Sequence, residues 1–318
     1  MGAGEFDLIA RIRARVGTRD DIVLGIGDDA ALLAPPPGRH LVVTADTLNE
    51  GVHFPRVTAP ADIGWKALAV NLSDLAAMGA EPAWCTLSLS LPQSDATWID
   101  AFLDGFLALA GEHGIALVGG DTTRGPLSLS VTAMGFVDAG SALRRDGAQV
   151  GDDVWVTGTL GDAAGALVLL EREPAHPLRR RLDRPTPRVH AGRALAALAA
   201  LASACVDVSD GLLADLGHIC ARSDVGARIE IPSLPASEAL RDAFDDVARA
   251  ALQAAGGDDY ELCFTADASH RERIASLASR LDLRITRIGR ITAGTAVVAV
   301  DAAGTAWQPP RTGYDHFE

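Results

Sequence analysis

The sequence predicts two domains, an α+β domain followed by an α/β domain. The chain has 318 residues, more than one hydrophobic core usually supports, so two domains of roughly 150 residues each are expected. Its hydrophobic fraction of 48% is ample for two packed cores. Helix and strand patterns occur in both halves, and a stretch rich in Gly, Ala and charge lies between them at residues 138–153. We therefore predict domains at residues 1–138 and 139–318.

The first half predicts the order helix, strand, strand, helix, strand, helix, strand, strand. Apolar residues at helical spacing predict the helices, while alternating or apolar runs bounded by turn residues predict the strands. The helices are expected at residues 5–16, 62–78 and 98–113, and the strands at 22–27, 40–46, 83–91, 115–118 and 127–137. This order indicates helices layered over one face of a sheet.

The same patterns predict alternating strands and helices in the second half. Strands are expected at residues 153–157, 205–208, 227–231, 260–265, 285–291 and 296–300, and helices at 162–172, 188–204, 212–223 and 271–281. A connection rich in Pro and Arg is expected at residues 174–187.

Charge and cysteine usage exclude several classes of protein. A net charge of −14 disfavours binding to nucleic acid or to anionic membranes, since both need a positive surface field. The four cysteines form no CxxC pair, so they predict buried free thiols in a reducing compartment rather than zinc ligands or disulfides. The first residues carry acids and no apolar segment, unlike a signal peptide. We therefore predict a cytoplasmic protein.

Five short acidic clusters are the main functional signal. They are Asp28-Asp29, Asp46, Asp74, Gly119-Gly120-Asp121 and Asp207-Val208-Ser209-Asp210, and most lie where a predicted strand meets a turn. Mg²⁺ takes oxygen ligands and tends to bridge carboxylates to substrate phosphates. If the fold brings these clusters together, the chain is a metal-dependent enzyme that handles phosphoryl groups. For one acidic pair alone, an ordinary Asx turn is the simpler interpretation.

Three of these clusters have distinct local settings. Asp74 interrupts an apolar helix pattern, where a charge is costly unless it meets a cation or donors, although it could be a surface residue. The glycine-rich segment 119–125 is predicted to be a turn whose N–H groups could cradle phosphate. The segment 207–211 joins a strand to a helix and favours a phosphate or a metal-bound anion, with helix capping by Ser209 or Asp210 as the alternative.

Other nucleotide-binding classes lack their motifs. Lys66 is the only lysine and is not part of a P-loop string, and the protein-kinase strings are missing. Gly25-Ile26-Gly27 lacks the third glycine of a dinucleotide fingerprint. Elimination leaves phosphoryl transfer by metal and carboxylates.

Read together, seven strings resemble the thiamine-monophosphate kinase family. They are Gly4-Glu5-Phe6, Gly25-Ile26-Gly27-Asp28-Asp29-Ala30, the segment 66–80, Gly119-Gly120-Asp121-Thr122-Thr123-Arg124-Gly125, the segment 206–212, Gly256-Gly257-Asp258-Asp259-Tyr260-Glu261-Leu262 and Gly313-Tyr314-Asp315-His316-Phe317. The family belongs to the ATP-binding superfamily typified by aminoimidazole ribonucleotide synthetase. The resemblance implies a PurM-like fold, in which an α+β domain binds ATP and Mg²⁺ and pairs its sheet across a homodimer. A C-terminal α/β domain then completes the ATP and substrate site.

The resemblance also implies the reaction, in which ATP and thiamine monophosphate give ADP and thiamine diphosphate, the last step of thiamine diphosphate biosynthesis. It implies that several Mg²⁺ ions are held by Asp29, Thr44, Ala45, Asp46, Asp74, Asp121, Asp207 and Asp210. It assigns ATP to Gly120, Asp121, Arg145 and Ser209, and thiamine monophosphate to His53, Asp258 and Tyr314. It makes Asp74, Asp210 and Arg145 the expected catalytic residues. Without the resemblance, His53 would be a structural histidine and Arg145 a surface charge.

Two residues depart from the family pattern. Ala45 stands where a hydroxyl residue is often found, so a metal ligand there would have to be its backbone carbonyl. Asp258 replaces the usual Glu and shortens the reach to substrate by one methylene. The acceptor phosphate is already anionic, so direct in-line transfer by positioning and electrostatics is expected, with no covalent intermediate.

Two alternative functions stay open at this point. One is a superfamily enzyme acting on another acceptor, such as an aminoimidazole precursor, selenide or a carboxamide. The other is a non-catalytic, acidic metal- or nucleotide-binding regulator.

Overall fold

The structure, a computed structural model, describes residues 4–198, 201–310 and 313. Two compact units divide the chain: Met1–Leu75 with Ala80–Gly140, and Ala76–Gly79 with Ser141–Glu318. We call them the N-terminal and C-terminal units. None of the described helices is both long and apolar enough to cross a bilayer.

The N-terminal unit is an α+β layer. Its helices are α1 (Glu5–Arg15), α2 (Pro60–Ala77) and α3 (Ala96–His113), and its strands are β1 (Ile22–Leu24), β2 (Leu32–Leu33), β3 (Arg39–Asn49), β4 (Glu81–Leu91), β5 (Ala116–Arg124) and β6 (Ser128–Asp138). A four-stranded sheet has the order β3-β6-β4-β5, in which only β4 and β5 run parallel. Strands β1 and β2 form a separate hairpin.

Local signals explain α3 and its packing on α2. The Asp95 carboxylate accepts the N–H groups of Thr97 and Trp98 at the start of α3, and Gly114 ends it in the left-handed conformation. Helices α2 and α3 cross closely at two glycines, since a Cβ on Gly64 or Gly105 would lie 2.0 or 1.7 Å from a carbonyl oxygen of the other helix.

Strand β5 corrects one expectation. The segment 119–124, predicted as a glycine-rich turn, continues the strand and pairs with β4 from Thr86 to Leu91. Gly120 permits this, because its φ is 149° and a Cβ there would lie 1.8 Å from the Leu87 carbonyl oxygen. Gly120 therefore serves a close backbone approach rather than a turn.

The C-terminal unit carries a seven-stranded sheet in the order β13-β12-β9-β11-β7-β10-β8. Its strands are β7 (Asp153–Thr157), β8 (Ala204–Asp207), β9 (Gly226–Glu230), β10 (Leu262–Ala266), β11 (Ile285–Thr292), β12 (Val297–Val300) and β13 (Ala306–Trp307). Its helices are α4 (Asp162–Leu169), α5 (Arg179–Asp183), α6 (Val189–Ala197), α7 (Leu212–Ser223), α8 (Glu238–Ala243), α9 (Asp246–Ala255) and α10 (Arg271–Leu281). Buried residues of α7 pack with β7, β8 and β9 in one core.

Several helices of this unit have boundaries that differ from those predicted from the sequence. The helix predicted at 188–204 ends at Ala197, and Ala204 pairs with Thr265 in the sheet. The connection 174–187 contains α5. Helices α8 and α9, which are capped by Ser237 and Asp245, were not predicted. The predicted combination of an α+β and an α/β domain is confirmed.

Candidate active site

Helix α2 makes three hydrogen bonds to predicted site residues of the N-terminal unit, two on β3 and one on the turn that follows it. The Thr44 hydroxyl donates a hydrogen bond to the Asp74 carboxylate. The Asp46 N–H donates to the Asn71 side-chain oxygen at 3.1 Å. The Lys66 ammonium donates to the His53 carbonyl at 2.8 Å. The order of these contacts along α2 is the reverse of their order along β3 and the turn that follows it.

Asn71 is fully buried and uses both ends of its amide. Its oxygen accepts from Asp46, and its Nδ2 donates to the Ala67 carbonyl at 3.1 Å. Because a buried amide must satisfy both groups, Asn71 fixes the backbone of Asp46 relative to the helix. The sequence pattern predicts no role for Asn71 or Lys66. The signal that singled out Asp74, a polar residue in an apolar helix pattern, would have found both.

The alternation of β3 separates the predicted ligands into two faces. The contact of its side chain with Asp74 places Thr44 on the face towards α2, and Asp46, two residues further along the strand, shares that face. Ala45 lies on the opposite, exposed face. Its methyl group offers no ligand, so a contribution to a metal site would come from its carbonyl oxygen.

The acids after β1 are exposed. Strand β1 ends at Leu24, three residues earlier than predicted, and Asp28 accepts the N–H of Asp29 at 2.8 Å. Gly27 has a φ of 125°, and the guanidinium of Arg13 lies 2.5 Å from the position a Cβ would take. Asp28 thus makes a local turn contact, while Asp29 is the predicted ligand of the pair.

Gly120 and Asp121 lie exposed on β5, at an edge of the sheet. The Thr122 N–H donates to the Asp121 carboxylate at 2.9 Å. A pocket of about 450 Å³ borders this end of the strand and is lined by Leu8, Leu91, Pro92, Gln93, Ser94, Thr122, Thr123 and Arg124. Hydroxyl, amide and guanidinium groups make this pocket suitable for a polar, anionic ligand.

His53 is half-buried and held on two sides. Its Nδ1 accepts the N–H of Asn49 at 3.0 Å, and its carbonyl accepts from Lys66. A ring nitrogen that accepts a hydrogen bond carries no proton, so the neutral ring has its proton on Nε2. The ring therefore has a structural contact through Nδ1.

In the C-terminal unit, the turn between β8 and α7 differs from the predicted phosphate cradle. The N–H groups of Ser209, Asp210 and Gly211 all donate to one oxygen of Asp215, at 3.0, 3.1 and 3.1 Å. Capping by Ser209 or Asp210 is also wrong, since the cap residue of α7 is Gly211. The backbone donors are already taken by a carboxylate from inside the helix. Burial, followed by the charge of Asp210, raises the pKa of Asp215 to about 7.

The segment carrying Asp258 lies against this turn. The Asp258 N–H donates to the Ser209 carbonyl and the Tyr260 N–H to the Val208 carbonyl, both at 2.8 Å. Asp258 and Tyr260 have left-handed φ values of 68° and 50°. Between them, the two carboxylate oxygens of buried Asp259 accept the N–H of Gly161 at 3.0 and 2.9 Å. These contacts hold a backbone conformation that is uncommon for residues other than glycine.

Glu261 anchors the same segment and was missed by the sequence analysis. Its fully buried carboxylate accepts from Arg188 at 2.5 Å, from Arg181 at 2.8 Å and from the Thr157 hydroxyl at 2.7 Å. The arginine-rich connection at 174–187 was the available signal for Arg181. A buried carboxylate with two guanidinium partners is satisfied, so this cluster stabilises the loop rather than offering a vacant charge.

Arg145 and Tyr314 are the remaining predicted site residues. Arg145 is exposed, and its carbonyl accepts the Ser223 hydroxyl at 2.8 Å. The neighbouring Arg144 pairs with Asp146. Tyr314 lies outside the described residues.

Metal binding depends on how many ligands the protein presents. Among residues 4–198, 201–310 and 313, no three His, Cys, Asp or Glu side chains form a group that could hold a metal ion. Mg²⁺ is usually bound through one or two carboxylates together with substrate phosphates and water, so the Thr44–Asp74 pair fits an ion that arrives with a nucleotide.

Both halves of the chain match described families. Residues 27–137 match AIR synthase related protein, N-terminal domain, and residues 149–301 match AIR synthase related protein, C-terminal domain. The chain is 46% identical to the thiamine-monophosphate kinase of Salmonella typhimurium, over 100% of this chain and 99% of that protein.

Solved structures give the same result. The thiamine-monophosphate kinase from Stenotrophomonas maltophilia K279a is similar with a TM-score of 0.88 and 61% identity, over 96% of this chain and 99% of that chain. AaThiL, complexed with AMPPCP and TMP, is similar with a TM-score of 0.78 and 32% identity, over 99% of this chain and 97% of that chain. The family resemblance of the sequence is confirmed. The chain belongs to the thiamine-monophosphate kinase family.

Proposed function

We propose that this protein transfers the γ-phosphoryl group of ATP to thiamine monophosphate, giving ADP and thiamine diphosphate, the last step of thiamine diphosphate biosynthesis. The observation that carries this proposal is similarity over the whole chain to thiamine-monophosphate kinases, including AaThiL complexed with AMPPCP and TMP. The acceptor is an anionic phosphate and needs no base. Direct in-line transfer then depends on positioning and on neutralising charge.

Mg²⁺ is the metal proposed for this reaction. The proposed ligands are Asp29, Thr44, Ala45, Asp46, Asp74 and Asp121 of the N-terminal unit, and Asp207 and Asp210 of the C-terminal unit. The contacts of α2 with Thr44 and Asp46 support the first set, because they hold oxygen ligands in a fixed arrangement. When bound, Mg²⁺ would neutralise phosphate charge. Asp74 and Asp210 would serve the reaction as ligands rather than as proton carriers.

The remaining residues are proposed to bind the two substrates. Gly120, Asp121, Arg145 and Ser209 are proposed for ATP, and His53, Asp258 and Tyr314 for thiamine monophosphate. Gly120 is suited to its role because its exposed backbone carries no side chain. The pocket beside Thr122 and Arg124 supports an anionic ligand near Asp121.

A homodimer is proposed through the exposed face of the N-terminal sheet. Leu41 and Val43 lie on the face of β3 that is directed away from α2, and they are 49% and 56% exposed. A pair of large apolar side chains on a sheet surface suits contact with a second copy. In light scattering, V43D should shift the mass from two chains to one, whereas V168D, at an exposed valine of α4, should not.

The proposed location is the cytoplasm. All four cysteines are buried free thiols, which suits a reducing compartment. The net charge of −14 disfavours nucleic acid and anionic membranes as partners.

Release of ADP measured with and without thiamine monophosphate and Mg²⁺ tests the function. We expect release only when ATP, Mg²⁺ and thiamine monophosphate are all present, together with stoichiometric thiamine diphosphate. Turnover of an aminoimidazole precursor, selenide or a carboxamide in its place would identify another superfamily enzyme. Binding of ATP without turnover of any acceptor would identify a regulator.

A further inference from the structure

Asp215 is a buried carboxylate that holds the turn between β8 and α7. It lies in the first turn of α7 and is 3% exposed. A single oxygen, Oδ2, accepts three consecutive N–H groups, those of Ser209, Asp210 and Gly211. One side-chain oxygen that accepts three consecutive backbone donors fixes three peptide units at once.

The backbone of the turn has no need of an external ligand. The Val208 N–H donates to the Glu261 carbonyl at 2.8 Å, so each N–H from Val208 to Gly211 has an acceptor within the unit. The carbonyls of Val208 and Ser209 accept from the segment that carries Asp258. The turn is therefore held from both sides, by Asp215 and by that segment.

The internal carboxylate also changes which ion the turn attracts. The first N–H groups of a helix normally favour an anion such as phosphate. Here an oxygen of Asp215 takes these N–H groups, while Asp207 and Asp210 add two more carboxyl groups to the same turn. A turn with satisfied N–H groups and an excess of carboxylates favours a cation.

We propose that Asp215 is a positioning residue that fixes the turn of residues 207–211, so that the carboxylates of Asp207 and Asp210 bind a divalent cation. This proposal depends on the proposed function for the identity of the ligands. Asp215 acts through the turn and contacts neither substrate. Replacing its carboxyl group should loosen the turn and weaken the affinity for Mg²⁺ more than it slows the reaction at saturating Mg²⁺.

The test compares D215N and D215A with D152N. Asp152 is a matched control, because it is a buried aspartate of the same unit that accepts a backbone N–H, from Gln149, and the Ser203 hydroxyl. The first measurement is the Mg²⁺ concentration that gives half-maximal ADP release at saturating ATP and thiamine monophosphate. We expect an increase of at least tenfold in D215N and more in D215A, with excess Mg²⁺ restoring most of the rate in D215N. D152N should stay within twofold of the wild type.

Mn²⁺ binding to the full chain, followed by electron paramagnetic resonance, gives a readout that needs no turnover. Circular dichroism is used to find a temperature at which each variant is folded, and Mn²⁺ binding is measured there. If D215A does not fold, D215N alone provides the test. Weaker Mn²⁺ binding in D215N than in D152N supports the proposal. Metal dependence equal to the wild type in D215N, or equal weakening in D215N and D152N, overturns it. A wild-type protein that binds Mn²⁺ without turnover would overturn the proposed function instead.

Discussion

The hydroxyl of Thr44 on β3 donates a hydrogen bond to the carboxylate of Asp74 on α2. The two residues are 30 positions apart in the chain, and the family resemblance assigns both to the metal. Their contact gives Asp74 a hydrogen-bond donor in a helix whose neighbouring residues are buried. This hydrogen bond also favours one register of β3 against α2, because a shift of either element would leave the Asp74 carboxylate without that donor, which is costly in the interior.

Replacing Asp74 by Asn should reduce kcat by at least about 100-fold, as expected when a preorganised electrostatic group is removed from a reacting site. The melting temperature should change little, because Asn can still accept from Thr44. Steady-state ADP release and thermal unfolding are the measurements. D104N, at an exposed position of α3, is the control and should retain full activity. A D74N enzyme of near-normal rate would contradict the metal assignment.

Replacing Asn71 by Ala should lower the free energy of unfolding by about 1–3 kcal/mol, because the Asp46 N–H would lose its acceptor in the interior. Urea denaturation measures the change. N71D retains an acceptor for the Asp46 N–H but, when ionised, has no donor for the Ala67 carbonyl. Its free energy of unfolding should therefore be closer to that of the wild type at low pH, where the carboxyl is protonated and can donate again. Equal stability of N71A and the wild type would show that Asn71 does not hold β3.

Replacing Glu261 by Gln should lower the free energy of unfolding by about 3 kcal/mol, since Arg181 and Arg188 would lose a buried anionic partner. The double variant E261Q/R188M should recover part of this loss, because it also removes one of the unpaired charges. E230Q is the control, because Glu230 is half-buried and its carboxylate accepts a hydrogen bond from the Ser233 hydroxyl rather than from an arginine. Non-additivity in urea denaturation is the expected result, and simple additivity would argue against a coupled cluster.

Asp162 should make stability depend on pH. Burial raises the pKa of its carboxyl above 3.8, while hydrogen bonds from Ser237 and Thr159 oppose the shift. The folded protein then binds more protons than the unfolded chain, so this contribution is fully present below about pH 4 and is lost as pH rises through the raised pKa. The side chain at position 162 of D162N does not ionise. Raising the pH from 4 to 8 should therefore lower the melting temperature of D162N less than that of the wild type. Parallel curves for the two proteins would contradict this sign.

Much of the secondary structure follows from local pattern. Strand β7 and helices α7 and α10 have the predicted bounds, because short apolar runs and helical spacing with clear end signals leave few alternatives. The sequence pattern predicted the wrong secondary structure where pairing with a distant strand outweighed it. Gly119 and Gly120 predicted a turn, but pairing with β4 kept them in a strand. Ala204 continued an alanine-rich helix pattern, but pairing with Thr265 placed it in β8.

The sequence by itself determined the fold class, the family and the residue types that suit Mg²⁺ and phosphate, since these depend on composition, spacing and ordered motifs. The roles of individual site residues stay predictions. Only the tertiary structure decided that α2 lies along β3, with Asn71 holding Asp46, and that Asp215 occupies the N–H groups of the turn after β8. The physical reason is that a polar group in the interior must find a partner, and which partner it finds depends on packing between segments distant in the chain.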